Sequence, residues 1–83
     1  MRYEVARHST REQGDGFILY FPETDHLYRF SPLGNKIIKA LQDEYDISTL
    51  PSLLGLKNDE VKYLGNFLMK LQEYGIINKK EEK

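Results

Sequence analysis

The residue types that do chemistry are sparse in this chain and badly spaced for it. His8 and His26 stand far apart in sequence, and only Asp25 offers either a neighbouring carboxylate. A zinc site needs convergent His, Cys or carboxylate ligands, and acid–base catalysis needs a titratable group within hydrogen-bond reach of its target. Neither pattern is present. The cysteine count is 0, so there is no thiolate nucleophile, no thiolate metal ligand and no disulfide framework. Ser31 lacks the Gly-x-Ser-x-Gly turn that exposes a serine nucleophile. Gly14 and Gly16 make a bare Gly-x-Gly inside a turn cluster, far short of a phosphate loop. The sequence therefore offers no catalytic residue, no metal ligand set and no cofactor motif, and a non-catalytic binding domain is expected.

The residues that do cluster are aromatic and basic. A helix starting near Asn58 places Val61, Leu64, Leu68, Leu71 and Gly75 on one face, the core face. Tyr63, Phe67 and Tyr74 fall in a second band beside it, with Lys70 alongside and Lys62 near its start. Such a band either covers the margin of a small core or walls a groove for the apolar side chains of a peptide. The other wall would be the strand His26 to Phe30, which has no proline and carries Arg29 as its one formal charge. A three-stranded sheet has two edge strands, and an unblunted edge is a template for another chain. A peptide held there by main-chain hydrogen bonds would be β-augmentation. The candidate peptide contacts are Leu27, Tyr28, Arg29 and Phe30 on the strand, and Lys62, Tyr63, Phe67, Lys70 and Tyr74 on the helix.

The elements that must position these residues can be read from period and punctuation. Tyr3 to His8 has a loose period of two and reads as a strand. Arg11 to Gly16 is a turn cluster. Phe17 to Phe21 is a continuous apolar strand, Pro22 to Asp25 a turn, and His26 to Phe30 the returning strand of a hairpin. Ser31-Pro32 is an N-cap followed by proline in the first helical turn. Leu33, Ile37, Ile38, Leu41 and Tyr45 then recur at helical spacing, which predicts a helix over about residues 32–44. A short second helix is predicted from Thr49 to Leu54, ended by Gly55, and a third, capped by Asn58, ends at Gly75. Three strands followed by three helices make an α+β fold, a small three-stranded antiparallel sheet with a winged-helix-like helical part.

Length and composition bound the function. The 83 residues make one domain, read as a single peptide-binding unit over residues 1–78 with a charged disordered tail over 79–83. Hydrophobic residues at 40% and charged residues at 30% are a globular balance. No apolar run approaches the ~18 residues of a membrane span, and the start has no signal-peptide core, so a cytoplasmic protein without membrane contact is expected. The net charge of −1 argues against nucleic acid as partner. The third helix, which would read DNA in a winged-helix protein, sets Lys62 and Lys70 against Asp59, Glu60 and Glu73.

The run Tyr28-Arg29-Phe30-Ser31-Pro32-Leu33-Gly34, followed by Ile37-Ile38 and Leu41, resembles the strand-to-helix junction of the PqqD-like family. These are the RiPP recognition elements, which bind the leader peptides of ribosomally made, modified peptides. The stretch Val61 to Ile77 resembles the last helix of that family, with its Leu-x-x-x-Gly-apolar ending. The resemblance covers about residues 17–77. Where pyrroloquinoline-quinone members often carry Cys-Asp-Gly after the first helix, this chain has Asp43-Glu44-Tyr45, and its size looks more like the free-standing leader-binding domains of lasso-peptide biosynthesis.

The resemblance implies three strands and three helices, with the leader added as a strand on the third strand beside the third helix. It implies an adaptor that presents the precursor to a leader peptidase and an ATP-dependent macrolactam-forming cyclase. Two alternatives stay open: a PqqD-type chaperone for a radical-enzyme peptide pathway, and a winged-helix DNA-binding protein.

Overall fold

The structure, a computed structural model, describes residues 2–79. Its hairpins follow from local chemistry. Gly14 and Asp15 alone join β2 (Ser9–Gln13) to β3 (Gly16–Phe21), and Gly14 takes φ +61° while Asp15 stays at negative φ. A left-handed first corner followed by an ordinary one is the type II′ pattern, whose twist suits paired strands and which favours glycine at that corner. Four residues, Pro22 to Asp25, then turn the chain into β4 (His26–Phe30). Asp25 closes that turn at φ +55° and accepts a 2.8 Å hydrogen bond from the Tyr20 hydroxyl.

These three strands form an antiparallel sheet in the order β2-β3-β4. The fold class is α+β, as the sequence predicts, but the first strand of this sheet is Ser9–Gln13 and not Tyr3–His8. β1 (Tyr3–Val5) instead pairs antiparallel with β5 (Ile77–Lys79) in a second, two-stranded sheet. Val5 lies opposite Ile77 and Tyr3 opposite Lys79, and the Ala6 N–H donates to the Ile76 carbonyl at 2.8 Å. Lys79 is therefore in a strand and not in a tail; residues 80–83 lie outside the described residues.

The helices begin where the capping residues place them. The Ser31 hydroxyl accepts the Gly34 N–H at 3.1 Å, and α1 runs Pro32–Gln42. It stops short of Tyr45, which is 45% exposed rather than part of the apolar face. The Asp46 carboxylate accepts the Ser48 N–H at 3.0 Å and opens a 3-10 turn over Ile47–Thr49, which leads into α2 (Leu50–Leu53). The last helix, α3, is Asn58–Glu73. Lys57 and not Asn58 holds its N-cap position, and the Lys57 N–H donates to the Glu60 carboxylate at 3.0 Å.

The core gathers one face each of β3, α1 and α3. Leu19 and Phe21 come from β3, Ile37, Ile38 and Leu41 from α1, and Leu64, Leu68 and Leu71 from α3. Leu50, Ile76, Ile77 and Tyr3 close the remaining sides. Val61, expected on the core face of α3, is 40% exposed, so the buried stripe of that helix starts one turn later, at Leu64.

Candidate functional site

The two-residue turn fixes which way every main-chain group in the sheet points. In such a hairpin the closing residues, here Gln13 and Gly16, exchange hydrogen bonds, and the pattern then alternates along the ladder. On β3, residues 16, 18 and 20 thus spend their N–H and C=O groups on β2, and residues 17, 19 and 21 spend theirs on β4. The partners of the second set are Phe30, Tyr28 and His26. Leu27 and Arg29 are left with N–H and C=O on the free side of β4, and no described residue bonds to them there. The predicted edge exists, and its outward-facing groups belong to those two residues.

Side chains alternate between the faces of the sheet. Tyr28 and Phe30 share the inner face with Leu19 and Phe21, while Leu27 and Arg29 share the outer face with Ile18 and Tyr20. Leu27 is 67% exposed. The Arg29 guanidinium lies back across the outer face over the β2–β3 turn, where a Cβ on Gly16 would meet Arg29 Nε at 3.5 Å and the Phe30 carbonyl oxygen at 3.0 Å. That close approach explains why residue 16 is glycine.

The aromatic band of α3 meets the inner side of β4 ring by ring. Tyr74 stacks on Tyr28 with centroids 5.5 Å apart and planes 15° from parallel. Phe67 meets Phe30 edge-on at 5.9 Å, and Tyr63 stacks on Phe67 at 5.5 Å. With residue 74 over 28 and 67 over 30, α3 runs antiparallel to β4. The row continues where sequence reasoning did not look: Tyr28 meets Phe21 edge-on at 5.8 Å, and Phe21 lies 5.3 Å from the His8 ring. The His8 Nδ1, 2.8 Å from the Ala6 carbonyl oxygen, must carry its proton there, so this histidine is tied to its own backbone. The alternation of β3, with Leu19 and Phe21 on one face, was the signal that could have placed Phe21 in the row.

The band is thus groove wall and core margin at once. Half-buried Phe67 packs its ring tip on Gly34, where an added Cβ would lie 3.2 Å from the Phe67 ζ carbon. Tyr63 and Tyr74 keep 41% and 52% of their surface exposed. Lys70 is exposed on the same stripe, between the two ring contacts. Lys62 is exposed too, but at ~100° per residue it falls well round the helix from Tyr63 and Phe67, so the structure does not bring it to the β4 edge. Leu27, Tyr28, Arg29, Phe30, Tyr63, Phe67, Lys70 and Tyr74 do lie along one edge and its flanking helix.

Shallow hollows border the edge at both ends. One of about 380 Å³ is lined by Asp15, Arg29, Phe30, Ser31 and Pro32. A smaller one, about 40 Å³, includes Phe21, Tyr28, Tyr74 and Ile76 in its lining. The outer sheet face holds a hollow of about 510 Å³ over Ile18, Tyr20 and Leu27. Among the described residues no three His, Cys, Asp or Glu side chains gather as a metal site, and no helix is long and apolar enough to cross a membrane. Compared with family models, curated proteins and solved structures, the chain matches none.

Proposed function

We propose that this protein is a non-catalytic peptide-binding adaptor that takes an extended segment as an added strand on the free edge of β4, beside α3. The single observation that carries the reading is the pairing of two features along one line. Main-chain donors and acceptors at Leu27 and Arg29 face outward, and the aromatic row of Tyr28, Phe30, Tyr63, Phe67 and Tyr74 runs beside them. Main-chain bonding supplies affinity without regard to sequence, and the flanking side chains supply selection. The resemblance to RiPP recognition elements makes the segment the leader of a ribosomally made precursor, a lasso-peptide precursor in the preferred reading. The adaptor then works in the cytoplasm by raising the local concentration of precursor at a leader peptidase and a macrolactam-forming cyclase. It needs no catalytic side chain for that role.

The test reads the neighbouring genes for a short precursor and titrates its leader by calorimetry against the wild type, Leu27→Pro and Tyr28→Pro. Proline removes the N–H. At Leu27 that N–H faces the free edge, so Leu27→Pro is expected to stay folded and lose binding. At Tyr28 it faces β3, so Tyr28→Pro is expected to unfold the hairpin. Full affinity in a folded Leu27→Pro variant contradicts the reading. Affinity for duplex DNA that collapses as salt rises would support the winged-helix alternative instead.

A further inference from the structure

Charge along the groove narrows the kind of segment that fits. Lys70 lies on the side of the aromatic stripe away from the buried Leu64, Leu68 and Leu71, which is the side overhanging the free edge of β4. Phe67 is pinned to Phe30 and Tyr74 to Tyr28, so residue 70 stands on the helix between the two pins. No ion pair or hydrogen bond joins the Lys70 side chain to another described residue. The nearest acid on the same helix, Glu73, falls ~60° farther round toward solvent. β4 itself has no acid, and its one formal charge, Arg29, is also without a side-chain partner among the described residues. An added strand would therefore run beside the rings and Lys70 on its inner face; the hollows at its two ends each pair one acid with one base, Glu23 with Arg7 beside Tyr28 and Tyr74, and Asp15 with Arg29 beside Phe30.

Resting on the reading of β4 as the docking edge, we propose that the segment it takes carries an acidic side chain on its inward face, seated against Lys70 beside Tyr28, with an apolar side chain two residues away against Tyr63 and Phe67. The spacing of two follows from strand alternation, because residues facing one side recur every second position, ~6.7 Å apart. The order of the pair reports direction. An added strand antiparallel to β4 meets Phe30 before Tyr28, so its apolar residue precedes the acid; a parallel one has the acid first.

The experiment selects peptides from a random 12-residue display library against the full chain and, separately, against Lys70→Glu. Lys70 is exposed and makes no side-chain contact that folding needs, so the variant is expected to fold. The wild type should enrich an acid and an apolar residue two positions apart. The best such peptide, resynthesised, should bind Lys70→Glu at least about tenfold more weakly at low salt, a difference that shrinks as salt rises and is smaller for Lys70→Gln. Lys70→Glu should enrich a basic residue in place of the acid. Peptides that protect the Leu27 and Arg29 amides from exchange yet show no acidic preference, or the same acidic consensus on Lys70→Glu, overturn this proposal and leave the docking edge standing. Peptides that bind without protecting those amides overturn the docking edge itself, and this proposal with it.

Discussion

Tyr28 and Tyr74 lie ring on ring, 5.5 Å apart and 15° from parallel, and they join the edge strand of the sheet to the last turn of α3. Tyr74 follows the final helical residue, Glu73, so this contact holds the helix end against β4 just before the chain enters β5. Together with the Phe30–Phe67 contact it sets how closely α3 approaches the edge where a peptide would add.

Removing one ring should therefore loosen that approach. Tyr74→Ala is expected to lower stability by about 1–2 kcal/mol, the worth of an aromatic pair and its partly exposed area. Tyr74→Phe, which keeps the ring, should cost little. Urea unfolding of both variants checks this, and equal losses would mean that the hydroxyl and not the stack carries the contact.

Gly34 controls the other pin. Alanine in place of a helical glycine ordinarily stabilises by up to ~1 kcal/mol. Here the new Cβ would lie 3.2 Å from the Phe67 ζ carbon and 3.4 Å from the Ser31 hydroxyl oxygen. Gly34→Ala is expected to gain clearly less than that amount, and to recover the gain when combined with Phe67→Leu. A double-mutant cycle on thermal unfolding reads the coupling, and strict additivity would show that Phe67 does not feel position 34.

The II′ turn makes a third prediction. Gly14 has φ +61°, where a side chain is strained, whereas Asp15 does not. Gly14→Ala should destabilise by about 1 kcal/mol or more, and Asp15→Ala should be nearly neutral. Because this turn also sets which residues of β4 face outward, any Gly14 variant that folds should be examined for a changed pattern of exchanging amides in β4.

The Tyr20–Asp25 hydrogen bond predicts a pH response at the other end of β3. Donation to the Asp25 carboxylate, then burial and the carboxylate charge, hold the Tyr20 phenol above the ordinary value of 10.0. A raised folded-state value means the contribution is fully present below the unfolded pKa and is lost as pH climbs through the folded one. Carbon-detected NMR titration of the Tyr20 ring should give a midpoint above 10.0 that falls back in Asp25→Asn. A midpoint unmoved by that substitution would assign the shift to something else.

How much of this was legible in the sequence depends on whether a signal was local. The hairpin from Phe17 to Phe30, the Ser31 cap, Pro32 in the first turn and the long α3 all carry strong short-range marks, and all are present. β2 was not legible because all five of its residues, Ser9 to Gln13, are polar and exposed, so no alternation marks them as a strand. The β1–β5 pair joins residues about 74 positions apart through three-residue strands, and nothing local encodes it. At the site, the stripe of Tyr63, Phe67, Lys70 and Tyr74 is a helical period and was readable. Its pairing with Tyr28 and Phe30 is tertiary, whereas the separation of Lys62 from it follows from the same ~100° per residue and was readable too. The choice of Leu27 and Arg29 as the outward residues of β4 depends on the II′ turn of the preceding hairpin, which the sequence reading located only as a cluster of turn residues.

The central claim is that a peptide adds to β4 through the main chain of Leu27 and Arg29, and amide hydrogen exchange at single-residue resolution tests it most directly. The measurement compares the free protein with the protein saturated by a bound leader or library-selected peptide. The account predicts that the Leu27 and Arg29 amides, open in the free protein, become strongly protected, while those of Tyr28 and Phe30, already bonded to β3, change little. A peptide that binds tightly and leaves the Leu27 and Arg29 amides exchanging as before contradicts it.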